Sequence, residues 1–108
     1  MVRVLFVGLQ NAGRSQLAEA LYALRGGEAR SAGWEPADEV HEAVLEALEE
    51  LGVDVSGRKP RALEQDDLEW AELVVDVRDW NLVEPVGLCL EEVRELRAQV
   101  ERRIAALP

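Results

Sequence analysis

The chain has 108 residues, 48% of them apolar, and its 12 basic and 22 acidic side chains give a net charge of −10. This length predicts one domain over residues 1–108, and the acidic surplus argues against partners such as nucleic acid or anionic membranes. No apolar run approaches the ~20 residues that span a bilayer, and a single cysteine excludes an internal disulfide or a multi-cysteine metal site. We expect no signal peptide, because the first strand begins at residue 3. We therefore expect a cytoplasmic protein that needs no metal and no cofactor.

The predicted elements alternate between strands and helices along the chain. In order, they are a strand at 3–7, a helix at 15–24, a strand at 28–32, a turn at 33–36, a helix at 37–51, a loop at 53–60, a short helical turn at 64–70, a strand at 73–77, a fourth strand at 80–83 and a helix at 90–107. This alternation predicts a three-layer α/β/α sandwich with a four-stranded parallel sheet.

Between the first strand and the first helix, residues 8–15 read Gly-Leu-Gln-Asn-Ala-Gly-Arg-Ser. A small-residue turn that leads into a helix is typical of an anion cradle, because its backbone N–H groups and the helix dipole both favour negative charge. Arg14 adds a planar guanidinium that fits two oxygens of a phosphate. In a parallel sheet, ligands lie beyond the carboxyl ends of the strands, so the turns after residues 77 and 83 are expected at the same edge.

The same loop nearly matches the Walker A pattern of Gly, four residues, Gly, Lys, then Ser or Thr, with Arg14 in place of the Lys. A small P-loop nucleotide-binding protein is therefore one alternative. Arginine is not an equivalent of the compact lysine charge that reaches the β- and γ-phosphates. A chain of this length also leaves little room for base recognition, so the loop favours a simple oxyanion.

A second interpretation uses almost the whole chain, which resembles the low-molecular-weight tyrosine phosphatase and arsenate reductase superfamily. The signature of that family is an apolar strand, Cys, five residues, Arg and Ser, followed by a helix. The matching stretch here is Val4-Leu5-Phe6-Val7-Gly8 through Arg14-Ser15 and on to Ala20. Further matches are found at 31–33, 40–56, 59–61, 71–75, in the segment 80–85 that ends in Glu84-Pro85, and at 90–107.

The resemblance implies a reaction, but the sequence lacks the nucleophile that this reaction requires. In active members a Cys thiolate attacks phosphorus or arsenic, the Arg stabilises the transition state, and an Asp protonates the leaving oxygen. Here Gly8 falls on the nucleophile and Glu84 falls on the general acid. The additional cysteines of thioredoxin-linked arsenate reductases are also missing.

We therefore expect a phosphatase-like protein that binds an oxyanion and lacks the Cys-dependent phosphatase or arsenate reductase reaction. The alternative enzyme hypothesis is a hydrolase with an altered mechanism, in which Arg14 and the cradle orient water and Glu84 acts as the general acid. A third possibility is an interaction module with no ligand in the loop. The expected partners are phosphate, sulfate, or a phosphorylated small molecule or protein.

The resemblance also assigns roles to individual residues. The expected anion-binding residues are Gly8, Leu9, Gln10, Asn11, Ala12, Gly13, Arg14 and Ser15. Asn11 suits a left-handed backbone, and Ser15 orders the loop or caps the helix. Among supporting residues, Ser31 is expected to bond to Asn11 and Trp80 to line the pocket. His41, the only histidine, is expected within the second helix and away from the loop.

Overall fold

The structure, a computed structural model, describes residues 2–108. Its elements are β1 (Arg3–Gly8), α1 (Arg14–Leu24), β2 (Glu28–Gly33), α2 (Glu42–Glu49), α3 (Gln65–Trp70), β3 (Leu73–Asp76), a 3₁₀ turn (Val77–Trp80) and α4 (Leu90–Ala105). The three strands form one parallel sheet in the order β2-β1-β3. Within the described chain, no helix has the length and apolar character needed to cross a membrane.

The central strand β1 is buried on both faces, which explains its unbroken apolar sequence. Val4 and Phe6 belong to the main core, which also contains residues of α1, α2 and α4. Leu5 and Val7 pack on the opposite face with residues of the segments around α3. The predicted three-layer architecture follows from this division, and β1 delivers the loop 8–15 to the carboxyl edge of the sheet.

The predicted fourth strand is wrong, because residues 80–83 contain no strand in the structure. After β3 the chain enters the 3₁₀ turn, and the side chain of Asp76 caps it by accepting the N–H of Arg78. Asn81 then adopts a left-handed conformation with φ of 56°. An extended strand requires the opposite sign of φ, so the described part of the sheet has three strands.

The second helix begins at Glu42 instead of the predicted residue 37. Four backbone N–H groups of the segment 34–41 donate to the loop and are therefore not available for a helix. The pairs, at 2.8–3.1 Å, are Trp34 to Gly8, Glu35 to Leu9, Ala37 to Gln10, and His41 to Ala12. This segment consequently lies against the loop. The other predicted helices and strands agree with the structure to within two residues at each end.

Candidate functional site

The loop 8–15 surrounds a polar cavity of about 30 Å³ at the carboxyl end of β1. A cavity needs roughly 10–15 Å³ to hold one water molecule, so this one admits a small polar ligand. All eight residues predicted to bind an anion line it. The remaining lining residues are His41, Val77, Glu84, Pro85 and Val86.

The backbone of the loop is arranged with its acceptors outward. Carbonyl groups of the loop accept N–H groups from the segment 34–41, and Asn11 has the expected left-handed conformation, with φ of 52°. Within residues 2–108, none of the N–H groups of residues 9–15 donates to a protein acceptor. Successive free N–H groups at a turn with a left-handed residue form a concavity that attracts anions. The N-terminus of α1 at Arg14 strengthens that attraction.

Asn11 holds this shape through a buried hydrogen-bond network. Its Nδ2 donates to Ser15 Oγ at 2.8 Å, and its Oδ1 accepts from Gln16 Nε2 at 3.1 Å and from the Arg61 N–H at 2.9 Å. Ser15 therefore takes part in ordering the loop, as one of its two predicted roles required. It does not cap α1, because the N-cap residue is Gly13 and no side-chain cap bond is present there.

Two supporting residues lie elsewhere than predicted. Ser31 Oγ donates to a carboxylate oxygen of Glu19 and not to Asn11. Trp80 packs against Phe6, with 6.2 Å between the ring centroids, and does not line the cavity. Both corrections have one physical reason. Each side chain has another partner: the Ser31 hydroxyl bonds to the Glu19 carboxylate, and the Trp80 ring packs in the aromatic core.

Arg14 occupies the cavity wall with most of its side chain buried. Its Nη1 donates to the carbonyl of Leu82 at 3.1 Å, and its Nη2 lies 3.2 Å from Glu84 Oε1. Hydrogen bonds from Arg78 hold the pKa of Asp76 below its ordinary value, and the positive charge of Arg14 acts in the same direction. Glu84 thus contacts the Arg14 guanidinium directly, and Asp76 lies near enough for the Arg14 charge to lower its pKa.

The two glycines of the loop differ in what requires them. A Cβ on Gly13 would lie 2.0 Å from Pro85 Cγ, so close packing of the Glu84-Pro85 segment excludes a side chain there. A Cβ on Gly8 would lie 3.2 Å from Ser15 Oγ and 3.4 Å from Val77 Cγ2, contacts that a slight adjustment accommodates. Packing therefore explains glycine at position 13 and does not demand it at position 8.

His41 is the lining residue that the sequence interpretation placed wrongly. It was expected inside the second helix, but it is the N-cap residue of α2 and its backbone N–H binds the loop. Nothing in the local sequence marks that contact, which joins residues 29 positions apart. The sequence did point toward Pro85 and Val86, because they directly follow Glu84, which the family resemblance places at the site.

Comparison with known proteins identifies relatives along almost the whole chain. Residues 3–102 match the family described as low molecular weight phosphotyrosine protein phosphatase. A Halobacterium salinarum protein provisionally named an arsenate reductase is 41% identical, over 94% of this chain and 87% of that protein. An arsenate reductase solved in a phosphate-binding state superposes with a TM-score of 0.78 at 30% identity, covering 97% of this chain and 95% of that chain.

A further protein shares the fold at lower identity. The YwlE arginine phosphatase from Geobacillus stearothermophilus superposes with a TM-score of 0.81 at 23% identity, covering 97% of this chain and 89% of that chain. These likenesses confirm the predicted α/β fold class and the predicted family resemblance. The family match favours the phosphatase-like interpretation of the loop over the Walker A interpretation.

Proposed function

The chain belongs to the low molecular weight phosphotyrosine protein phosphatase family, and on that premise we propose that it binds phosphate or a related oxyanion without bonding to it covalently. The observation that carries the proposal is the loop itself. Its N–H groups at 9–15 have no acceptor within the described chain, and they share one cavity with the Arg14 guanidinium. The phosphate-binding state of the related arsenate reductase supports the same class of ligand.

The second part of the proposal is the missing nucleophile at position 8. Glycine offers no atom that can attack phosphorus or arsenic, and the chain's one thiol, Cys89, is exposed at the start of α4 and does not line the cavity. The nearest hydroxyl is Ser15 Oγ. Within residues 2–108, Ser15 Oγ accepts a hydrogen bond from Asn11 Nδ2. Because Asn11 is the donor in that bond, it cannot act as a general base that removes the hydroxyl proton of Ser15. We therefore propose that the Cys-dependent reactions of the family are lost.

One contact favours a second candidate function, a hydrolase with an altered mechanism. Glu84 lies beside Arg14 at the cavity and keeps the carboxyl that the family resemblance assigns to the general acid. In that mechanism a water molecule attacks the phosphorus, Arg14 stabilises the charge that develops on the oxygens, and Glu84 gives its proton to the leaving oxygen. Water is a poorer nucleophile than a thiolate, so we rank this candidate second.

The experiment is phosphate-dependent thermal stabilisation of the wild type, Arg14→Ala and Arg25→Ala. A ligand that binds only the folded state raises Tm by mass action. We expect a rise in the wild type and in Arg25→Ala, which makes the same charge change at the exposed end of α1. Arg14→Ala should bind at least about tenfold more weakly, because it loses charge-assisted hydrogen bonds.

Two outcomes contradict the proposal. The first is no Tm shift at tens of millimolar phosphate, or an equal shift in Arg14→Ala, which favours an interaction module without a ligand in the loop. The second is rapid hydrolysis of p-nitrophenyl phosphate by the wild type that disappears in Arg14→Ala. That result would establish the altered hydrolase instead.

A further inference from the structure

His41 stands at the edge of the anion cavity, where neither the family resemblance nor the proposed function gives it a role. Its backbone N–H donates to the carbonyl of Ala12 at 3.0 Å, which fixes the residue against the loop. Its ring atom Cδ2 lies 3.4 Å from the position that a Cβ on Gly13 would occupy. The side chain lines both the cavity and an adjoining groove that runs toward Leu88.

The imidazole makes no hydrogen bond within the described chain. Within residues 2–108 neither ring nitrogen has a hydrogen-bond partner, and no buried side-chain nitrogen or oxygen is left without one. The ring nitrogens of the half-buried His41 are therefore exposed to solvent. A protonated imidazole has two donors, and a hydrogen bond to an anion from a charged donor is about twice as strong as a neutral one.

The charged groups around His41 come from three elements. Arg14 and Glu84 face it from the loop and from the segment before α4, across the cavity. Glu42 and Glu46 of α2 face it across the adjoining groove. Three carboxylates and one guanidinium give these surroundings a net negative charge, which favours a protonated imidazole. Histidine is the side chain whose ordinary charge change falls between pH 5 and 8.

We propose that His41 is a ligand-binding residue of the loop site, and that its protonated imidazole donates a hydrogen bond to an oxygen of the bound oxyanion on the α2 side of the cavity. This inference rests on the proposed oxyanion binding and extends it. Arg14 supplies a permanent positive charge, and the backbone N–H groups supply fixed dipoles. His41 supplies the one contact that pH controls, so affinity rises as the pH falls from about 8 to about 5.5.

Sulfate is the appropriate probe, because it remains a dianion throughout this pH range whereas phosphate itself gains a proton. We expect calorimetric titration of the full chain to give about fivefold tighter sulfate binding at about pH 5.5 than at about pH 8, the effect of one partly solvated charge at contact distance. In His41→Gln the ratio should fall to about one. Since the chain has a single histidine, no second imidazole contributes to the wild-type ratio.

A second measurement needs no variant. Sulfate should raise the pKa of the imidazole, followed by NMR of the His41 ring protons in the wild type, because binding to the charged form and protonation are linked. A histidine that the bound anion does not contact would show a much smaller shift.

The outcomes separate the inference from the proposed function. Sulfate binding that needs Arg14 but has the same affinity at both pH values, or a pH effect that persists in His41→Gln, overturns the role of His41 and leaves oxyanion binding intact. An unchanged His41 pKa with sulfate bound does the same. If sulfate binds the wild type at neither pH, both the inference and the proposed function fail.

Discussion

Two arginine–carboxylate pairs of this molecule are opposites in burial. At the cavity, the side chain of Arg14 is 10% exposed and that of its partner Glu84 is 57% exposed, with 3.2 Å between nitrogen and oxygen. Next to α3, Arg61 is 43% exposed and its partner Asp67 only 1%, at 2.8 Å. The first pair joins a buried cation to an exposed carboxylate, and the second joins a buried anion to a half-exposed cation.

The buried anion is fully satisfied by the protein. Burial by itself raises the pKa of Asp67, but hydrogen bonds from Arg61 and from the backbone N–H of Glu64 outweigh it and hold the pKa below its ordinary value. Arg30 adds a further contact at 3.3 Å, and Arg61 also donates to the carbonyl of Ser31. This cluster ties α3 to β2, so its charges stabilise the fold.

The buried cation is satisfied only in part. A guanidinium carries five N–H donors, and within residues 2–108 Arg14 uses two of them, one on the Leu82 carbonyl and one on Glu84. Beside it lie the free N–H groups of the loop. This difference supports the proposed oxyanion site: the saturated pair stabilises the fold, whereas the buried Arg14 guanidinium keeps donors available next to a cavity.

The largest effect is expected from adding a thiol at position 8, which tests whether the Arg14 site can still support phosphoryl transfer. If Arg14 is held ready for a tetrahedral anion, Gly8→Cys should gain hydrolysis of p-nitrophenyl phosphate by roughly a thousandfold or more over the wild type, given what removal of a nucleophile costs other enzymes. The Cβ fits beside Ser15 and Val77. Initial rates across substrate concentrations give kcat and KM.

Gly8→Ala is the matched control, since it fills the same space without a thiol and should remain inactive. Adding Arg14→Ala to Gly8→Cys should abolish the gain. A Gly8→Cys protein that folds and binds phosphate but turns over no faster than Gly8→Ala would show that the cradle no longer supports transfer chemistry. The contrast between the two pairs would then concern binding alone.

The second pair is tested by stability. Asp67→Ala should lower the free energy of unfolding by about 2–3 kcal/mol, because it removes a buried carboxylate and leaves Arg61 and Arg30 without their common partner. Urea unfolding followed by circular dichroism measures this. The neighbouring Asp66→Ala removes a carboxylate that is 83% exposed and should leave the transition nearly unchanged.

The effect of Asp67 should also depend on pH in a defined direction. Since its pKa is lowered in the folded protein, its contribution is present above the ordinary aspartate pKa and is lost as the pH falls through the folded value. The gap in stability between the wild type and Asp67→Ala should therefore narrow on acidification below about pH 4. Equal losses in Asp66→Ala and Asp67→Ala would remove the distinction between the pairs.

The sequence was sufficient for the parts of the site that depend on local pattern. The apolar strand, the small-residue turn and the helix start at residues 3–24 require only neighbouring residues, and they place Arg14 and Ser15 correctly. The Glu84-Pro85 segment was found through the family resemblance, and the structure brings it onto Gly13 and Arg14.

The errors occur where long-range contacts override local pattern. Residues 37–41 have helical propensity, but hydrogen bonds to loop carbonyls more than twenty positions away keep Ala37 and His41 out of the helix. The apolar segment 80–83 suits a strand, but the left-handed Asn81 and the Leu82 carbonyl, bound by Arg14, turn it toward the cavity. The hydrogen bond from the His41 N–H to the loop has no signature in the local sequence, which is why His41 was missed.

The smallest effect is expected from Glu84, the exposed partner of the first pair. Glu84 competes with an incoming anion for Arg14, so Glu84→Gln should bind sulfate about threefold more tightly, the scale of one exposed ion pair. Glu101→Gln makes the same change of net charge on an exposed site of α4 and should leave the affinity unchanged. Calorimetric titration of both variants at one pH and one ionic strength isolates the local effect, because general repulsion by the acidic chain is relieved equally in each. Weaker sulfate binding in Glu84→Gln would mean that Glu84 positions Arg14 for the ligand instead of competing for it, and the first pair would then resemble the second.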